Sequence, residues 1–245
     1  PERPGWGERH IFNKRLERER QWRRGRASPR APGGTVPGAG RPVEAVHGRG
    51  SGRPAAGRRP RVGLLGGSFN PAHIGHLHIS RLALDLLKLD EIWWLVSPQN
   101  PLKPEEGMAS LADRLNSARA MARGRNLWVT DIEGEMGTRF TAETLKALKG
   151  RFPRHRFVWI MGADNLIDIW RWNDWTTIFE TVPVAVLARP DYSFKALVST
   201  AAKRFQRYRI KEIRASALAD SKPPAWVFLE IPLSAASATL IRSGR

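Results

Sequence analysis

Gly66-Gly67-Ser68-Phe69-Asn70-Pro71-Ala72-His73-Ile74-Gly75-His76 is the stretch that decides the fold. A short apolar run, 62–65, precedes it. An amphipathic pattern follows, in which Ile79, Leu82, Ala83, Leu86 and Leu87 share one face. The order is strand, glycine turn, histidine pair, helix. Small residues let the backbone approach a ligand closely, and a helix start offers unpaired N–H groups and a positive dipole end. His73 and His76, at spacing i, i+3, fall on one face of the first helical turn. The segment suits a polyphosphate.

Working outward, short apolar runs at 92–96, 127–132, 157–161, 184–188 and 226–230 read as further strands, rich in β-branched and aromatic residues. Helical patterns alternate with them. One carries Leu111, Leu115 and Ala118 on a face, with Ser110 as N-cap. Another covers 142–149 and stops at Gly150 as its C′ residue. Two more span 175–181 and 194–205. This alternation predicts an α/β protein with a doubly wound, mostly parallel sheet. In such sheets ligands bind outside the carboxyl ends of the strands. Four polar segments gather there: the opening stretch, 97–103, 162–165 and 237–242.

Composition divides the chain at about residue 60. Residues 1–60 hold eight of the 18 prolines, 11 of the 22 glycines, and 15 Lys and Arg against five Asp and Glu, so +10 of the net +18. Too little apolar surface is present there to offset ordering entropy, so a disordered basic extension is expected, with the folded domain over 61–245. The extension reads either as a solvated tail or as an arm touching nucleic acid through clusters such as Arg23-Arg24 and Arg58-Arg59. With no cysteine, disulfides and thiolate metal sites are excluded, and a cytoplasmic location fits. No run of about 18 apolar residues predicts a membrane span.

The histidines admit three readings: metal ligands, packed structural groups, or phosphate donors. His78 faces elsewhere on a helix and no nearby carboxylate completes a metal set, so no protein metal site is expected. The stretch lacks the Gly-Lys-Ser/Thr ending of a Walker loop and the Gly-x-Gly-x-x-Gly of a dinucleotide fingerprint. Trp170 and Trp175 read as packing groups, and Lys103 as either a phosphate contact or a solvated side chain.

The pattern Gly66-Gly67-Ser68-Phe69-Asn70-Pro71-x-His73-x-Gly75-His76 resembles the signature of the nucleotidylyltransferase superfamily, whose fold is Rossmann-like. Asn100-Pro101-Leu102-Lys103, Arg139-Phe140-Thr141-Ala142-Glu143-Thr144-Leu145, Gly162-x-Asp164-x-Leu166 with Trp172, and Ser237-x-Thr239-x-Ile241-Arg242 resemble its nicotinate-nucleotide adenylyltransferase branch. The resemblance implies transfer of an adenylyl group from ATP to nicotinate mononucleotide, with pyrophosphate released. It implies ATP contacts from Gly66, Gly67, Ser68, Phe69, Asn70, His73, Gly75, His76, Ser237, Thr239 and Arg242, of which His73, His76 and Arg242 carry the catalysis. It implies mononucleotide contacts from Lys103, Thr141, Gly162, Asp164 and Trp172, and Mg²⁺ brought by ATP rather than held in a protein cage. Phosphates beside the imidazoles would favour their protonation. Two departures stand out. Asn70 occupies a position where many relatives have Asp, and the family continues through a further helical stretch beyond the last motif. The rival readings are an adenylyltransferase for nicotinamide mononucleotide, phosphopantetheine or another phosphorylated acceptor, and a non-catalytic nucleotide- or RNA-binding protein.

Overall fold

A computed structural model describes residues 58–98, 107–122, 126–189 and 192–231, all within the unit Ser51–Arg245. Six parallel strands make one sheet: β1 (Arg61–Gly67), β2 (Glu91–Val96), β3 (Leu127–Thr130), β4 (Arg156–Gly162), β5 (Val184–Leu187) and β6 (Trp226–Leu229). Their order is β3-β2-β1-β4-β5-β6. The chain starts at the centre, winds one way to β3, then crosses back to β4 and winds the other way. The order therefore reverses between β1 and β4, the crevice where open α/β sheets bind ligands. Nearly every residue of β2, β4, β5 and β6 is buried, as strands covered on both faces require.

Helices fill the crossovers: α1 (Ile74–Leu86), α2 (Leu111–Met121), α3 (Ile132–Met136), α4 (Thr141–Arg151), α5 (Ala163–Asp168), α6 (Trp175–Thr181), α7 (Ser193–Leu197) and α8 (Thr200–Arg204). Ser110 caps α2 as expected, its Oγ accepting from Asp113 N at 3.1 Å. α6 has the expected bounds.

Four local expectations need correction. His73 is the N-cap of α1 rather than part of its first turn. The third strand ends at Thr130, because Asp131 opens the short α3, which closes at Gly137 with φ +64°. Gly150 lies inside α4, which runs to Arg151 and is closed by Phe152, whose ring is buried. The predicted helix over 194–205 is two helices, because Ser199 Oγ accepts from Ala202 N at 3.3 Å and starts α8 afresh. Serine competes with the helical backbone for its own hydrogen bonds and so favours a cap.

The amino end of the sheet is fastened by charge. Asp220 accepts from both Arg61 and Arg156, on adjacent strands, and Asp90 accepts from Arg58 and from Arg61 N. Inside, the buried Glu91 carboxyl accepts the indole N–H of Trp93 and of Trp128, each at 3.0 Å, which ties β2 to β3.

Candidate active site

Helices of a parallel sheet run opposite to the strands, so the starts of α1, α4 and α5 stand at the carboxyl edge. Three of the four expected polar segments meet there in part: Gly66–His76, Ser97-Pro98 and Gly162–Asn165. The remainder, with Lys103, Ser237, Thr239 and Arg242, lies outside the described residues.

Gly66 shows why the turn begins with glycine. A Cβ there would come 2.4 Å from Cη2 of Trp159 on the neighbouring strand. Phe69 then takes a left-handed backbone, φ +47°, unusual for an aromatic residue. Its ring accounts for that. It is 1% exposed, stacks on Trp94 at 5.1 Å between centroids and meets His76 at 4.6 Å. Trp94 donates its indole N–H to Ser80 Oγ at 2.8 Å, and Ser80 donates to His76 O at 2.8 Å. A strand, the turn and the first turns of α1 thus lock together beneath the histidines.

The two imidazoles form a reciprocal cap. His73 Nδ1 accepts from Gly75 N at 3.1 Å, and His76 Nδ1 accepts from His73 N at 3.2 Å. An accepting Nδ1 places the ring hydrogen on Nε2, so each ring offers an Nε2–H donor. The rings lie 3.9 Å apart. Burial, and next the Arg189 cation, push the His73 pKa below its usual value. The shift favours the neutral imidazole over the protonated one expected beside phosphates. A neutral Nε2–H remains a donor.

On the other side of the crevice, Gly162 ends β4 and Asp164 lies in the first turn of α5. Asp164 Oδ1 is 3.2 Å from Arg189 Nε, an ion pair out of hydrogen-bond alignment. A Cβ on Gly162 would meet these same atoms at 2.4 and 2.7 Å. The glycine is what lets this pair fold over the strand end. Thr141 is the first residue of α4, where backbone N–H groups lack helical partners. Trp172 is half-buried, its backbone N–H donating to Ile169 O at 2.9 Å. Its turn reaches α4 through Lys146 and Asp174, 3.3 Å apart. Trp175 packs edge-on to Phe179 and Phe205, as expected of a packing group, whereas Trp170 is 53% exposed.

Two arginines escaped the sequence reading. Arg189 stands two residues beyond β5, and a cation past the end of a parallel strand was its only signal. Arg114 left a plainer trace, an arginine among Leu111, Leu115 and Ala118 on the apolar face of α2. It is 2% exposed and its guanidinium donates to four backbone carbonyls.

Known proteins resemble this chain over most of its length. The cytidylyltransferase-like family model matches residues 64–244. A probable nicotinate-nucleotide adenylyltransferase of Parvibaculum lavamentivorans is 53% identical over 182 residues, 74% of this chain and 90% of that protein. One from Cereibacter sphaeroides is also 53% identical over 182 residues and is covered to 96%. Among solved structures, Plasmodium falciparum nicotinic acid mononucleotide adenylyltransferase complexed with NaAD superposes with a TM-score of 0.58 at 17% identity, over 75% of this chain and 83% of that one, a likeness of fold. The chain belongs to the nicotinate-nucleotide adenylyltransferase branch of the cytidylyltransferase-like family.

Proposed function

We propose that this chain transfers the adenylyl group of ATP to nicotinate mononucleotide in NAD biosynthesis, in the cytoplasm. One observation carries the reading: two imidazoles, each with its Nδ1 already accepting and so with its ring hydrogen on Nε2, stand together at the start of α1 at the sheet's switch point. A phosphate oxygen of the mononucleotide attacks the α-phosphorus of ATP. The new P–O bond forms as the bond to pyrophosphate breaks, and the electron pair leaves with pyrophosphate. The attacking phosphate has a second pKa of about 6, so it is dianionic at neutral pH and needs no base. The protein's work is alignment and charge stabilisation.

In this reading Gly66, Gly67, Ser68, Phe69, Asn70 and Gly75 shape the ATP cradle, and His73 and His76 donate to its phosphates. Ser237, Thr239 and Arg242 complete that cradle. Gly162 and Asp164 bound the mononucleotide side, with Arg189 added to them as a cation. Thr141 offers its backbone N–H to the nicotinate carboxylate, Trp172 stacks on the pyridine ring, and Lys103 meets a substrate phosphate. Mg²⁺ enters as part of the ATP substrate. In this reading its ligands are phosphate oxygens and water.

The test is pyrophosphate release with Mg-ATP and either nicotinate or nicotinamide mononucleotide. Release favouring the acid supports the reading. Equal rates overturn the acid preference, and no release with either overturns adenylyl transfer to a pyridine mononucleotide.

A further inference from the structure

Arg114 is a buried cation whose described hydrogen bonds all go to backbone carbonyls. Nε donates to Ala109 O at 3.0 Å, one terminal nitrogen to Ser68 O at 2.8 Å and Ser97 O at 2.7 Å, and the other to Pro98 O at 2.7 Å. The acceptors belong to three separate segments. Ser68 lies in the turn between β1 and α1, one residue before Phe69. Ser97 and Pro98 follow β2, and Ala109 leads into α2. A planar guanidinium with five diverging donors can hold three segments at fixed angles. A lysine ammonium, with three donors at one point, cannot span them.

A second strut runs parallel to this one. Asn70 Nδ2 donates to Gly107 O at 3.0 Å, while its Oδ1 accepts from Ala109 N at 3.2 Å. The amide uses both ends, and an aspartate would set a carboxylate oxygen against the Gly107 carbonyl. The strand ends are also bonded directly, Ser97 N to Gly67 O at 3.0 Å. The network continues to the acceptor side. The Ser97 hydroxyl bonds the buried Glu133 carboxyl, which also accepts from Thr144 Oγ1 at 3.4 Å, on the helix that Thr141 begins.

We propose that Arg114, seconded by Asn70, is the positioning residue of this active site: its guanidinium fixes the histidine-bearing turn in register with the turn after β2 and the entry to α2. The consequence for catalysis rests on the adenylyl-transfer reading; the consequence for the three segments does not.

The test is Arg114→Lys, which keeps the charge and loses the fork. In the folded variant, assayed about 10 °C below its melting midpoint, kcat falls about tenfold or more while KM for ATP and for nicotinate mononucleotide stays within about threefold. Amide hydrogen exchange at Ser97 and Ala109 quickens about tenfold, with β6 unchanged. A merely structural arginine would lower the melting temperature and leave kcat per folded molecule intact; that result overturns the proposal, as does unchanged exchange at both amides. If Arg114→Lys does not fold, Asn70→Asp carries the test: faster exchange at Ala109 with lowered kcat supports the proposal, and wild-type values of both overturn it. Should the wild-type protein release no pyrophosphate, the adenylyl-transfer reading fails by itself, and the exchange rates alone decide whether Arg114 clamps these segments.

Discussion

Replacing His76 by alanine removes three things at once. It deletes the Nε2–H donor, the acceptor for His73 N at 3.2 Å, and the ring lying 4.6 Å from Phe69 and 3.9 Å from His73. The cap is worth ~0.5–2 kcal/mol and the ring contacts ~0.5–1.5 kcal/mol, so the folded state loses ~1–3 kcal/mol. At ~2–4 °C per kcal/mol for a domain of this size, the melting temperature drops by about 2–12 °C. The donor matters on a different scale. A preorganised donor to charge that develops on the leaving group is worth ~2.7–4 kcal/mol, or 10²–10³ in kcat. His76→Asn separates the two roles. Asparagine Oδ1 stands near the place of Nδ1 and restores the cap, but nothing replaces Nε2–H. We expect His76→Asn to recover most of the melting temperature and almost none of the turnover, measured as pyrophosphate release at saturating Mg-ATP and nicotinate mononucleotide well below both midpoints. If both variants turn over within about threefold of wild type while the alanine variant melts early, the pair is a helix cap and the phosphate assignment is wrong.

Gly162→Ala places a Cβ within 2.7 Å of Arg189 Nε and closer still to Asp164, so the ion pair must part; stability falls by ~1–3 kcal/mol and KM for the mononucleotide rises severalfold, whereas an unchanged KM removes this pair from the acceptor site. Burial raises the Glu133 pKa against the opposing hydrogen bonds from Ser97 and Thr144. Stability linked to Glu133 is thus full below its ordinary range near 4.5 and is lost as pH rises through the elevated folded value; thermal melts of Glu133→Gln should gain on wild type as pH rises from 4.5, and parallel curves would refute the shift. His73 behaves oppositely, since its folded pKa is depressed: its contribution is present above 6.5 and is lost as pH falls through the lower folded value, so His73→Asn should flatten the acid limb of the stability profile. Removing residues 1–57 should leave kcat unchanged, and a loss beyond about tenfold would give that segment a role. The cut stops before Arg58 because Arg58 pairs with Asp90 and Pro60 O accepts from Arg156 N.

The strands were legible because each carries a short apolar run, the pattern that a sheet largely covered on both faces favours. The carboxyl-edge location of the site followed from their alternation with helices. What the sequence hid was hydrogen bonding that substitutes for periodicity. Ser199 divides a helix whose apolar spacing runs on undisturbed, and Asp131 turns Ile132 out of a strand although its side chain suits one. Gly150, a good terminator by composition, is overruled because Phe152 buries its ring one residue beyond Arg151. In each case a contact distant in sequence, or a local side-chain acceptor, outweighs intrinsic propensity.

The same distinction separates the residues that could be read from those that could not. His73, His76 and Gly66 announce themselves because their residue types and local spacing make a recognisable pattern. Arg114 serves the site through carbonyls of Ser68, Ser97, Pro98 and Ala109, contributed by segments up to 46 residues away in the chain. A carbonyl carries no residue identity, so no partner residue type marks the arrangement; only the arginine itself, out of place on an apolar helix face, betrays it. Asn70 fits this logic. Its departure from aspartate looks like a lost charge beside the phosphates, yet its amide has work that a carboxylate cannot do, donating to Gly107 O while accepting from Ala109 N. The substitution therefore belongs to the scaffolding of the cradle. Positive charge enters the crevice with Arg189, which, after burial, is the second cause of the lowered His73 pKa.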